Sequence, residues 1–333
     1  MKAINTILVP KNNFKIFTVD KDGNETGKSI EQTNTWTYYG YRNFWLNTSY
    51  YQPGTYYGAD GGTSETGVVH IIISESDEEI NKEFEKFDPS VNTWASSSRV
   101  STRDGVNYDA FSVVNIKGRE YLQLRHMRMW EFGELETEIN SVAIATTASA
   151  TASILAGKTL DEPFEITTEE QLLVRYDILI PIEYVATSDA SASNNVFDTK
   201  TIDVNGTEHT VTFAKNYFHI GSLTSTSRQY FKRGSSIAMN HGGWSVNNTF
   251  HRDQPYQSDS GDNWREYSVS IQVDPYPMGQ VNISSLLQGQ SSTSGGSRNQ
   301  NLCVYFDPPL QKAEDDRVFI NFSVRQEVEE FEP

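Results

Sequence analysis

The chain has 333 residues, 37% hydrophobic and 21% charged, with a net charge of −17. It is long enough for two cores of ordinary size and too apolar to be disordered. Its acidity repels a phosphate backbone and an anionic membrane surface, so neither nucleic-acid binding nor membrane insertion is expected.

A single cysteine, Cys303, sits between Leu302 and Val304. It excludes an internal disulfide and a thiol zinc site, and reads as a small buried hydrophobe. The opening residues Met1-Lys2-Ala3-Ile4-Asn5 lack the apolar core of a signal peptide, and no stretch approaches membrane-spanning length. The expectation is a chain made and folded in a cytoplasm.

The first element is the alternating run Phe14 to Val19, which enters Asp20-Lys21-Asp22-Gly23-Asn24. The Asp-Gly step signals a hairpin. A calcium loop of the EF-hand kind needs its glycine two positions later, so the turn reading stands. Residues 36 to 57 are crowded with aromatic rings. One reading is core and sheet packing. The other is a stacking platform for a glycan or a protein, with Trp36, Tyr38, Tyr39, Tyr41, Trp45, Tyr50, Tyr51, Tyr56 and Tyr57 as the contact surface. Val68 to Ile73 reads as a buried strand, with His70 as a satisfied core histidine.

A helix is expected over 76–88. Ser76-Asp77-Glu78-Glu79 has the form of a capping box, Ile80, Phe84 and Phe87 recur on one helical face, and Asp88-Pro89 ends it. Val113 to Trp130 reads as a hairpin turning at Lys117-Gly118, and Ala143 to Ala156 as a loop of small residues. From Leu172 the residues Leu172, Val174, Tyr176, Ile178 and Ile180 fall on one face of a strand and Arg175 and Asp177 on the other. Thr187 to Asn195 suits a linker. Asp203-Val204-Asn205-Gly206 signals another hairpin, Gln288 to Gln300 a loop, and Glu327 to Pro333 an acidic tail.

Pro309 follows Pro163 by 146 positions (309 − 163), and the strand after it repeats the design with Val318, Ile320, Phe322 and Val324 inward and Asn321 and Ser323 outward. At the same offset Arg119-Glu120-Tyr121 returns as Arg265-Glu266-Tyr267, Gly133 as Gly279, and Asp161 as Asp307. This points to a diverged tandem duplication. The expected fold is all-β: two tandem β-sandwich domains of similar topology, 1–186 and 196–333, with one short helix in the first.

The chain carries no Walker A loop, GxGxxG, HExxH or GxSxG pattern. Its six histidines are scattered. His241-Gly242-Gly243-Trp244 and His251-Arg252-Asp253 share one polar region, and the residue types suit hydrolytic or glycan chemistry. Nothing selects a pair of carboxylates from the many present. No catalytic, cofactor-binding or metal-binding residue is nominated, and the expectation is a protein that is not an enzyme.

Three stretches resemble the β-rich virion structural proteins of tailed bacteriophages, the tail-fibre-like or minor tail proteins. They are the hairpin Phe14 through Gly23, the step Phe132-Gly133 leading to Ile139-Asn140, and the block from Pro163 through Ile178. A helix begun by Ser76-Asp77 fits the same pattern. After Asn140 this chain has Ser141-Val142-Ala143 where such proteins commonly carry Glu-Ile-Gly. The resemblance implies a virion component assembled in the host cytoplasm, in repeated copies, with itself and other virion proteins as partners. A host surface glycan is a further partner if the aromatic segment is a contact surface. The alternatives are a carbohydrate-binding module and a glycan-degrading enzyme.

Overall fold

In the computed structural model of the chain, the described residues are 1–46, 70–95, 98–100, 102–103, 106–107, 111–181, 196–215, 228–233, 249–253, 256–273, 281–289, 300–312 and 318–333. The fold is all-β with one short helical segment of eight residues. The strands of the first half are β1 (Lys2–Pro10), β2 (Asn13–Val19), β3 (Glu25–Thr33), β4 (Thr35–Trp36), β5 (His70–Ser74), β6 (Thr93–Ala95), β7 (Ser98–Arg99), β8 (Thr102–Arg103), β9 (Val106–Asn107), β10 (Phe111–Ile116), β11 (Arg119–Trp130), β12 (Thr137–Ala145), β13 (Ile154–Ile166) and β14 (Gln171–Pro181). Those of the second half are β15 (Val196–Val204), β16 (Thr207–Lys215), β17 (Arg228–Arg233), β18 (Thr249–Asp253), β19 (Tyr256–Ser260), β20 (Trp264–Val273), β21 (Val281–Gly289), β22 (Gln300–Lys312) and β23 (Val318–Phe331).

The first sandwich stacks the sheet β10-β11-β14-β2-β3 on the sheet β4-β13-β12-β5-β6. Alternation dictates the facing. Leu172, Val174, Tyr176 and Ile178 of β14 are buried in one core with Ile71, Ile73, Val142 and Ile144 from the opposite sheet. The second sandwich stacks β19-β20-β23-β1 on β15-β16-β22-β21-β17-β18. There Ile320, Phe322 and Val324 are buried as their spacing requires, and Phe322 meets Phe213 of β16 edge-on at 6.1 Å between ring centroids.

The two sandwiches repeat one strand order. β14 lies between β11 and β2, and β23 lies between β20 and β1. Opposite them, β13-β12-β5-β6 matches β22-β21-β17-β18. The spans Ile154–Ile166 and Gln300–Lys312 coincide at both ends when shifted by the sequence offset.

One strand breaks the division by chain order. β1 belongs to the second sandwich, where it pairs in parallel with β23 from Lys2 opposite Ser323 to Pro10 opposite Phe331. The corresponding strand of the first sandwich, β2, runs antiparallel to β14. Residues 2–10 of the expected first domain, 1–186, thus pair with the second sandwich while Ile7 and Val9 pack into the first core; the expected linker over 187–195 lies outside the described residues. The ends of the chain form a two-stranded ribbon that contributes to both cores. Ala3 and Val324 are buried, and Ile7, Val9 and Val328 are packed into the first core. The expected acidic tail is thus mostly strand.

The hairpins fall where the turn chemistry places them. Lys117-Gly118 and Asn205-Gly206 both have positive φ at two successive positions, the requirement of the tight turn whose twist matches antiparallel strands. At the first hairpin the Asp20 carboxylate accepts from the N–H groups of Asp22 and Asn24, which holds its pKa below the ordinary value.

The helix expected over 76–88 does not form. Ile80, Phe84 and Phe87 are buried, as their spacing demands, but in a strap of turns lying across the outer face of β12 and β13. The strap spends its backbone groups on the sandwich. Ile80 N–H donates to Thr159 Oγ1, Thr159 donates to the Glu78 carbonyl, Tyr38 N–H donates to the Lys82 carbonyl, and Ile154 N–H donates to the Glu85 carbonyl. Those tertiary bonds replace the i to i−4 ladder. Ser76 Oγ accepts from Glu78 N–H, two residues on, instead of capping a helix. Gly157 allows the close approach, since an added Cβ would stand 2.9 Å from Ile80 Cδ1. The small residues of 143–156 are accordingly strand ends around a short loop, and Ala143, Ala145 and Ile154 lie under the strap.

Candidate functional site

The helical segment is at Tyr38–Gly40, continuing as a π-helical turn at Tyr41–Trp45. Thr37 caps it. Its hydroxyl accepts from Gly40 N–H at 3.0 Å and donates to the Ile154 carbonyl at 2.6 Å, which ties the segment to β13. Gly40 rests directly on the Leu155 carbonyl, and any Cβ there would overlap that oxygen. The approach turns Trp36, Phe44 and Trp45 into one mutually packed set, with ring centroids 5.0 to 5.3 Å apart.

At Trp36, Tyr41 and Trp45 this geometry gives the packing reading in place of the contact surface. Trp36, Tyr41 and Trp45 are buried in the first core, and Tyr38 and Tyr39 are half-buried against it. Rings this large, placed on a turn beside a narrow sheet, close the space between the sheets. Tyr50, Tyr51, Tyr56 and Tyr57 lie outside the described residues. So do His241 and Trp244, and β18 carries His251 to Asp253 without a described placement of their side chains. His70 is half-buried, and burial, then Arg128 and His126, depresses its pKa and favours the neutral ring.

What the aromatic segment does build is a polar junction. Trp36 Nε1 donates to the Pro10 carbonyl at 3.3 Å, and Trp36 N–H donates to Glu330 Oε1 at 3.2 Å. Tyr41 Oη lies 3.5 Å from the other oxygen of Glu330. Behind them Asn34 Nδ2 donates to the Tyr176 hydroxyl, and Asn12 N–H donates to Asn34 Oδ1. Lys11 pairs with Glu332 at 2.6 Å, and the Lys82 ammonium stands 5.9 Å over the Tyr41 ring. Burial raises the pKa of Glu330 above its ordinary value against the pull of Trp36 N–H, Lys11 and Lys82. Burial and the Glu330 charge push the Tyr41 and Tyr176 phenols well up, so both stay neutral.

Sequence reasoning missed Glu330 and Lys82. Glu330 had a readable signal: the inward parity of Ile320, Phe322 and Val324 continues through Val328 to Glu330, which a solvated tail would not keep. Lys82 had none, because its place depends on the strap. Among the described residues no group of three or more His, Cys, Asp or Glu is placed to hold a metal ion. No family model, curated protein or solved structure matches the chain.

Proposed function

We propose that this chain is a structural component of a tailed-bacteriophage particle, built in as repeated copies and working through its surfaces, with host attachment as a contribution of those surfaces. The observation that carries the reading is one sandwich used twice and bound into a unit by a ribbon made of both chain ends. Such a unit suits a part that must transmit force and keep its shape. The stretches that carry the phage resemblance have structural tasks here. Phe14 and Ile16 enter the first core, Gly23 turns the hairpin, and Leu172 to Ile178 form the central strand. The edge strand β3 supports assembly over uncontrolled aggregation. It is interrupted by a bulge beside Gly27, and Lys28 and Glu31 engage Glu170 and Arg175.

The test is a mass-spectrometric inventory of purified particles with stoichiometry relative to the capsid protein. The reading expects a fixed, multiple copy number. Absence from the particles, or saturable release of reducing sugar from host polysaccharide by the purified chain, overturns it.

A further inference from the structure

Glu330 is an acidic group placed where five separate parts of the fold meet. β4 presents the Trp36 N–H to it at 3.2 Å, and the helical segment presents the Tyr41 hydroxyl at 3.5 Å. β14 brings the Tyr176 phenol, the strap brings the Lys82 ammonium, and the corner between β1 and β2 brings Lys11. Glu332 adds a second negative charge from the end of the chain. No ammonium or guanidinium of the described residues is in ion-pair contact with Glu330. Lys11 is taken by Glu332 at 2.6 Å, and Lys82 is oriented over the Tyr41 ring. The carboxyl is therefore half-buried and hydrogen-bonded but not neutralised, at the point where the outer end of the β1–β23 ribbon meets the first sandwich.

We propose that Glu330 is a pH-dependent latch, which holds the ribbon firmly against the first sandwich when protonated and loosens it when ionised. The protonated carboxyl fits the site completely. Oε1 accepts from Trp36 N–H, and Oε2–H donates to the Tyr41 oxygen, since a hydroxyl can accept as well as donate. The ionised carboxylate keeps both bonds but brings an unpaired charge into a partly desolvated site beside the charge of Glu332. The sign follows from the raised folded pKa. The latch contributes its full stability below the ordinary glutamate value of 4.5 and loses it as the pH rises through the higher folded value.

The test is amide hydrogen exchange of the intact chain from pH 4.5 to 8, corrected for intrinsic exchange, reading residues 6–11 and 326–331 against β14 as reference. Protection of the two ribbon peptides is expected to rise as the pH falls, by about tenfold for each unit that the folded pKa stands above the unfolded one. Glu330→Gln should be protected and flat across the range. Lys11→Met removes a charge that favours the ionised form, so it should move the midpoint to higher pH and enlarge the rise in protection, which a purely structural role would not do. A wild-type ribbon without pH dependence, a Glu330→Gln variant with the wild-type profile, or an unmoved midpoint in Lys11→Met overturns the proposal.

Discussion

At Tyr176 a single side chain joins packing to polar order. Its ring stacks on Phe14 at 6.1 Å with 15° between planes, and its hydroxyl accepts from the Asn34 amide inside the first core. Truncation to Ala should therefore cost about 3–5 kcal/mol in urea unfolding, the range for removing a large buried ring. Tyr176→Phe keeps the ring and strands the Asn34 amide, and should cost about 1–2 kcal/mol. If the two variants prove equally destabilised, the ring is not what the site depends on. Gly40 makes the opposite case, where the missing atom matters. Gly40→Ala would drive a methyl into the Leu155 carbonyl, and should cost about 2–3 kcal/mol as an overpacked site, measured the same way. Asp177 shows where residue-level reading from sequence stops. It does face away from the first core, but it is only 6% exposed, held between Arg125 at 3.0 Å and Arg175 at 3.4 Å. Alternation tells which face a side chain takes; it does not tell what covers that face. Here the outer face carries its own apolar cluster of Phe17, Val19, Met127 and Leu173.

Elements closed by local chemistry were legible in the sequence. The turns at Gly23, Lys117-Gly118 and Asn205-Gly206 need only a few adjacent residues to specify them, and each joins the strands it was expected to join. The strap at 76–88 was not legible, because its cap, its apolar spacing and its terminal proline are all genuine helix signals. Bonds to Tyr38, Ile154 and Thr159, distant in sequence, override them. The candidate site was legible only as an aromatic cluster, and its core role was one of the two readings the rings allow. β1 was invisible for a third reason. Asn5 points inward, and Ile4, exposed at 44%, points outward, so its alternation is blurred. The ribbon that β1 forms should also respond to pH at its other end, with the sign reversed. Lys2 donates to Glu266 at 2.7 Å and lowers the carboxyl pKa. That pair contributes stability above the ordinary value of 4.5, and the contribution is lost as the pH falls through the depressed folded value. Because the pair is partly exposed, Glu266→Gln should cost about 0.5 kcal/mol at pH 7 and progressively less as the pH falls through the depressed folded value, by paired urea melts. A cost that does not shrink as the pH falls would mean packing, not charge, is involved.

The whole molecule repeats a module, and the offset between the copies was readable because the strand after each proline keeps its face through divergence. What could not be read is that the second copy draws its edge strand from the far end of the chain. That arrangement makes a definite claim about cooperativity. Two sandwiches joined by a linker alone would unfold as two units. Here β1 supplies Ala3 beside Val324 in the second sandwich and Ile7 and Val9 to the first core, and β23 adds Val328 to the first core. Loss of the ribbon would expose apolar surface in the first sandwich and leave an unpaired strand edge on β20 in the second. The intact chain should therefore show one calorimetric transition, with a van't Hoff enthalpy matching the calorimetric one. Deleting residues 1–10 should leave one smaller transition belonging to the first sandwich, with the second, where β23 becomes an open edge, no longer melting cooperatively. A fragment of residues 196–333 should lack a cooperative transition, and restoring residues 1–10 through a flexible linker at its N-terminus should recover one, since a strand parallel to β23 need only reach its register from Lys2 opposite Ser323. If the fragment unfolds cooperatively without that strand, β1 is an ornament of the second sandwich and not part of its structure.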